Sequence, residues 1–173
     1  AQYGFITKEQ ARAAGLSDGA IQRRVAAGLW SRKYRGVFRD VAVPVTWYGE
    51  LKAVTLRSPG SVWVSHAAAA RLWQLDGFEL EPLEVTSTAD LRTPCSSVKD
   101  HKTAAMPRID VAVVRRIPVT TVHRTLIDLG VCADEDWVEL ALESALRRGM
   151  TAIPRITRRL QALEGHGRRG PVC

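Results

Sequence analysis

Gln22, Arg23 and Arg24 sit together near the N-terminus, followed within a dozen positions by Arg32, Lys33 and Arg35. An amide beside guanidinium groups has the chemistry for reading base edges: Gln pairs with adenine through two hydrogen bonds and Arg with guanine, while further cations suit phosphate. Two other groupings invite catalytic readings. Ser65-His66 pairs a hydroxyl with an imidazole, but neighbouring side chains seldom meet productively, so Ser65 is read as a helix N-cap and His66 as a first-turn residue. Glu50-Leu51-Lys52 has the spacing of a metal-dependent nuclease motif, yet it falls in a predicted helix without an acidic partner on a preceding strand. His101, His123 and His166 are too scattered to imply a metal site by spacing. No glycine-rich phosphate loop or carboxylate pair is present. The expectation is a protein with no catalytic residues, no metal and no cofactor.

These residues need elements to position them. Thr7 and Gln10 form a capping-box pattern, so a short helix follows Thr7 and ends near Gly15. Ser17 caps a second helix through Ala27, and Gly28 stands where a left-handed C-terminal residue belongs. Ile21 and Val25 make its buried stripe, which turns Asp18, Gln22, Arg23 and Ala26 outward. Asp18 is awkward beside phosphate; the spacing leaves open whether it serves the helix dipole or accepts from a cytosine amine. Leu29 to Arg39, broken by Gly36, reads as two short strands around a turn, a wing that carries Arg32, Lys33 and Arg35. Helix, tight turn, helix and wing together predict a winged helix-turn-helix over residues 1–43. Its DNA-contacting set is Ser17, Gln22, Arg23, Arg24, Arg32, Lys33 and Arg35, with Arg24 on phosphate and the wing cations on phosphates or in the adjacent minor groove.

Val41 to Thr46 reads as a linker. Beyond it Thr46 caps a helix to about Arg57, Pro59-Gly60 makes a turn, and Ser65 caps a helix through Trp73. Strands are predicted at Leu83–Thr86, near Ser97–His101, and at Ile109–Arg115, the last apolar enough to be buried. Helices are predicted at Thr121–Leu129, Asp134–Arg148 and Ala152–Leu163. The fold class is therefore α+β: a winged helix-turn-helix (1–43), a mixed α/β domain with a helical C-terminal part (44–165), and a flexible basic tail (166–173).

Composition agrees with this outline. The chain has 173 residues, 46% hydrophobic and 25% charged, which excludes a disordered or fibrous class. Its net charge of +7 is unevenly spread. Residues 1–40 hold eight Lys/Arg against three Asp/Glu, residues 41–139 ten against thirteen, and residues 140–173 seven against two. Basic ends favour phosphate backbones through counterion release. The three cysteines, Cys95, Cys132 and Cys173, lie far apart with no Cys-x-x-Cys pair and fit a reducing compartment. With no bilayer-length apolar run and no signal-peptide pattern, the expected location is cytoplasmic, without membrane contact.

The segments Gly4–Ala11, Ala14–Ser17, Ala20–Gly28 and Tyr34–Phe38 together resemble the AbiEi-type antitoxins of type IV toxin-antitoxin systems. The resemblance continues through Val64–Leu72, Leu83–Thr86, Ile117–Leu129 and Ala141–Gly149, and so covers nearly the whole chain. It implies an N-terminal winged helix-turn-helix that represses the protein's own operon by binding its operator DNA. It also implies an α/β domain that supports antitoxin activity, with a nucleotidyltransferase-like toxin as partner. Carried over by position, the DNA-reading helix is Ser17–Ala27 and the wing Arg32–Arg35. The larger domain is expected to hold a partner or form a homodimer. Two alternatives stand beside this reading. One is a protein-interaction antitoxin that neutralises its toxin with little DNA binding. The other is an accessory module of a longer nuclease-like protein, because many similar sequences continue into such a domain past a Gly-Arg-Arg-Gly like Gly167–Gly170.

Overall fold

The computed structural model describes residues 2–78, 82–91 and 97–164. The architecture is α+β, with seven helices and two sheets among the described residues. The chain packs as two compact units, Ala1–Val62 and Trp63–Cys173. The basic tail predicted at 166–173 lies outside the described residues. No helix among the described residues is long and apolar enough to cross a membrane.

The first unit runs β1 (Phe5–Thr7), α1 (Lys8–Ala13), α2 (Asp18–Ala26), β2 (Trp30–Tyr34), β3 (Val37–Asp40) and α3 (Trp47–Thr55). The capping box at Thr7 forms as its sequence demands. The Gln10 N–H donates to Thr7 Oγ1 at 3.1 Å, and the Thr7 N–H donates to Gln10 Oε1 at 3.0 Å. Gly15 and Gly28 close the two helices at φ +88° and +70°, a region where a Cβ would be strained. Ser17 Oγ accepts from the Ala20 N–H at 3.2 Å and so starts α2. Strand β1 was not legible in the sequence, because three residues are too few to show alternation. It completes an antiparallel sheet of order β1-β3-β2, pairing Phe5 with Arg39 and Thr7 with Val37.

Ala11, Ile21 and Phe38 form one small core, flanked by Ile6, Leu16, Val25 and Trp30. A second joins Phe5 and Val37 of the sheet to Ala53 and Leu56 at the end of α3. This second core explains why the first unit extends to Val62 rather than ending at residue 43. The segment expected as a linker connects α3 to a sheet on which that helix packs.

Strand β4 (Val62–Val64) begins on the last residue of the first unit, and the second unit continues through α4 (His66–Leu72), β5 (Leu83–Ser87), β6 (Val98–Lys102), a 3-10 turn (Arg108–Asp110), β7 (Val111–Val114), β8 (Ile117–Thr120), α5 (Val122–Cys132), α6 (Glu135–Arg147) and α7 (Ile153–Glu164). Its five-stranded sheet has the order β6-β5-β4-β8-β7, with β5/β6 and β4/β8 parallel and β7/β8 antiparallel. Ala70, Leu126, Leu129, Ala141 and Ala145 form the core between α4, α5 and α6.

One strand expectation needs correction. The run Ile109–Arg115 is not a buried strand: β7 is the edge of the sheet, Val113 is 67% exposed, and Ile109 lies before it at 64%. Apolar composition alone cannot distinguish an edge strand from a central one. The buried strand is its neighbour β8, with Ile117 and Val119 fully buried. Pro118 argues against a central strand because it cannot donate to a ladder. Here β8 meets β4 through the single register pair Val64–Val119, so the missing donor costs little.

Candidate nucleic-acid interface

Ile21 is fully buried on α2 and Val25 packs beside it, so helical spacing leaves Gln22, Arg23 and Ala26 exposed on the far side. Ser17, exposed at the start of the helix, is committed to its capping bond. From the neighbouring strand, Arg32 Nη2 donates to Gln22 Oε1 at 2.6 Å, tying β2 to the outer face of α2. Recognition of adenine uses both polar atoms of a Gln amide, so Arg32 would have to share or release Oε1 on binding. Arg35 stands exposed at the hairpin tip beside Gly36, whose φ of +73° makes the turn.

Two of the expected phosphate contacts already have partners within the unit. The Arg24 guanidinium lies over the Trp30 ring, 5.6 Å from its centroid, and braces α2 on β2. Lys33 Nζ pairs with Glu50 Oε2 on α3. Glu50 and Lys52 lie on α3 as predicted, and the Glu50 carboxylate is thus engaged by Lys33.

The structure shows where Asp18 is held. Arg12 grips its carboxylate with two bonds, Nε to Oδ1 at 2.8 Å and Nη2 to Oδ2 at 2.6 Å, and Lys8 Nζ lies 3.0 Å from Oδ2. Hydrogen bonding from Arg12, then from Lys8, lowers the Asp18 carboxyl to a pKa of about 2. Its charge is therefore held locally at the start of α2, and two cations are held with it. Asp18→Asn should leave the fold intact and free Lys8 and Arg12. Binding to any duplex should then tighten, and the slope of log affinity against log salt should steepen by about 1 for each cation that reaches a phosphate. An unchanged slope in a salt titration would place both cations away from DNA.

Among the described residues of the basic segment that begins at residue 140, three arginines are engaged within the second unit. Arg147 pairs with Asp76, Arg148 donates to the Gln74 carbonyl, and Arg159 makes two 2.6 Å bonds to Asp110, all within the second unit.

Ser65 occupies the N-cap position of α4 and His66 its first turn, as expected, but their side-chain contacts differ from those of a simple cap. Ser65 makes no capping bond, and its Oγ instead lies 2.9 Å from His66 Nδ1. Glu84 Oε2 accepts the Ala67 N–H at 3.1 Å, so a carboxylate from β5 serves the first turn of α4. His66 adopts φ +51°, strained for a residue with a side chain. Its ring stacks on His101, with centroids 3.6 Å apart and planes at 16°. His101 Nε2 in turn lies 2.7 Å from Glu84 Oε1. All four residues are buried. Burial first, then the adjacent His101, push the His66 pKa down to about 3, so His66 is neutral at ordinary pH. Spacing along the chain hid this cluster, because the sheet assembles it from separate segments. A local hint existed: in the strand predicted near Ser97–His101, a histidine could face a carboxylate on a neighbouring strand. Cys132 also departs from expectation, since it is disulfide-bonded.

Residues 1–39 match the family described as transcriptional regulator, AbiEi antitoxin. The match spans α1, α2 and nearly all of the hairpin, and stops short of the motifs between Val64 and Gly149. No curated protein matches the chain.

Proposed function

We propose that this chain is a sequence-specific DNA-binding repressor of the antitoxin type, which autoregulates a toxin-antitoxin operon through a winged helix-turn-helix in its first unit. The observation that carries this reading is the outer face of α2, where exposed Gln22 and Arg23 stand beside Arg32 of the hairpin. Gln22 and Arg23 contact base edges; Ser17, Arg24, Arg32, Lys33 and Arg35 contact the backbone or the adjacent minor groove. The family match over residues 1–39 supports a regulatory role for this segment. The second unit holds a nucleotidyltransferase-like toxin or a second copy of the chain, and the protein works in the cytoplasm without catalysis.

The engagement of Arg24 by Trp30 and of Lys33 by Glu50 favours a second reading, in which the basic unit docks a toxin directly and touches DNA weakly. A reporter driven by the protein's own upstream region separates the two. Repression by the wild-type chain, relieved by Gln22→Ala with Arg23→Ala, supports the repressor. Full expression in the presence of folded wild-type protein supports toxin docking.

A further inference from the structure

We propose that His66 and His101 form a divalent transition-metal site, which the thiolate of Cys132 completes once its disulfide is reduced. One ligand atom from each of the three residues falls within 4.8 Å of the others. Small side-chain movements would bring that set to the roughly 2.0–2.3 Å bonds of a zinc ion.

The hydrogen bonding around the two imidazoles is that of metal ligands. Such a ligand typically has its second nitrogen fixed by a carboxylate or another oxygen, which sets the tautomer and aims the remaining lone pair. Glu84 Oε1 fixes His101 Nε2, and Ser65 Oγ fixes His66 Nδ1. That leaves His66 Nε2, which is buried and has no hydrogen-bond partner. An orphaned buried nitrogen is costly, and a metal ion would satisfy it. The cluster borders a cavity of about 370 Å³ lined by His66, Glu84, Lys99 and Cys132, which leaves room for an ion and a fourth ligand. The rings now stack nearly parallel, so metal binding would splay them until their lone pairs converge.

Two imidazoles and a thiolate suit Zn²⁺ better than the oxygen-seeking Mg²⁺ or Ca²⁺. The disulfide is the gate. Two electrons and two protons from a small thiol or dithiol convert it to two thiols, and the Cys132 thiol then loses its proton to solvent as its sulfur bonds the metal.

The test uses the full chain, stripped with a chelator and titrated with Co²⁺ as a coloured stand-in, before and after reduction. The reduced chain should bind one ion, show the visible bands of a four-coordinate site and a thiolate-to-cobalt charge-transfer band, and release cobalt to Zn²⁺. Cys132→Ser and the oxidised chain should lack the charge-transfer band. His66→Asn and His101→Asn should weaken binding at least about tenfold, and Glu84→Gln, which acts through His101, about 10- to 100-fold. Failure of the reduced chain to bind one ion while folded by circular dichroism would overturn the proposal. So would a charge-transfer band that persists in Cys132→Ser, or equal binding by the oxidised chain. The comparison of reduced with oxidised wild type needs no variant to fold.

Discussion

Arg124→Ala should destabilise the second unit by about 3–5 kcal/mol, the usual loss when one member of a buried ion network is removed. Arg124 is buried on α5, with Nε 2.8 Å from Asp128 Oδ1 and Nη1 2.9 Å from Asp110 Oδ2. Asp110 keeps Arg159 in the variant, but Asp128 is left with an uncompensated buried carboxylate. Burial already raises the Asp128 pKa to about 6, against the pull of Arg124. Without Arg124 it must rise further.

The sign of the pH dependence follows. A carboxyl whose folded pKa lies above its unfolded value of 3.8 holds its proton more tightly in the folded state, so stability falls as pH rises between the two values. In the wild type this decline ends near pH 6; in Arg124→Ala it continues upward. Urea unfolding should therefore show the variant losing stability relative to wild type as pH increases above about 6. A constant difference across that range would mean that Asp128 does not depend on Arg124.

Arg23→Ala should weaken binding to the cognate operator by about 1–3 kcal/mol and relax the preference at one base pair, which we expect to be a guanine. Arg23 is exposed on α2, and a guanidinium can donate two hydrogen bonds to the O6 and N7 acceptors that guanine presents in the major groove. Arg35→Ala, at the wing tip, should instead weaken binding to every duplex alike and lower the salt slope by about 1. Selection from a randomised duplex library reads both effects. If Arg23→Ala lost affinity equally on all sequences, Arg23 would be a phosphate contact and α2 would not be reading bases there.

Local signals in the sequence carried the first unit. Thr7, Ser17 and Thr46 each cap a helix because the partner N–H lies three positions on, and Gly15, Gly28 and Gly36 sit where a positive φ is required. The outward face of α2 followed from Ile21 and Val25 by helical periodicity alone. What the sequence hid was set by distant partners. Asp18 looked like an awkward charge near DNA until Lys8 and Arg12 closed on it. The linker looked free until Ala53 and Leu56 were seen against Phe5 and Val37. Strands β1, β4 and β8 are too short, or too interrupted by Pro118, to show a period. The positions of Ser65 and His66 at the start of α4 were legible, but not their partners, because Glu84, from another strand, takes the first turn of α4 and leaves the Ser65 hydroxyl to the imidazole.

The central claim is that the first unit reads DNA sequence. Fluorescence anisotropy of the chain on its own upstream DNA and on a scrambled duplex, across a salt series, tests it most directly. The account predicts a preference of about 10³-fold or more for the native fragment, superimposed on a salt dependence shared by both duplexes. Equal, weak binding to the two would contradict it.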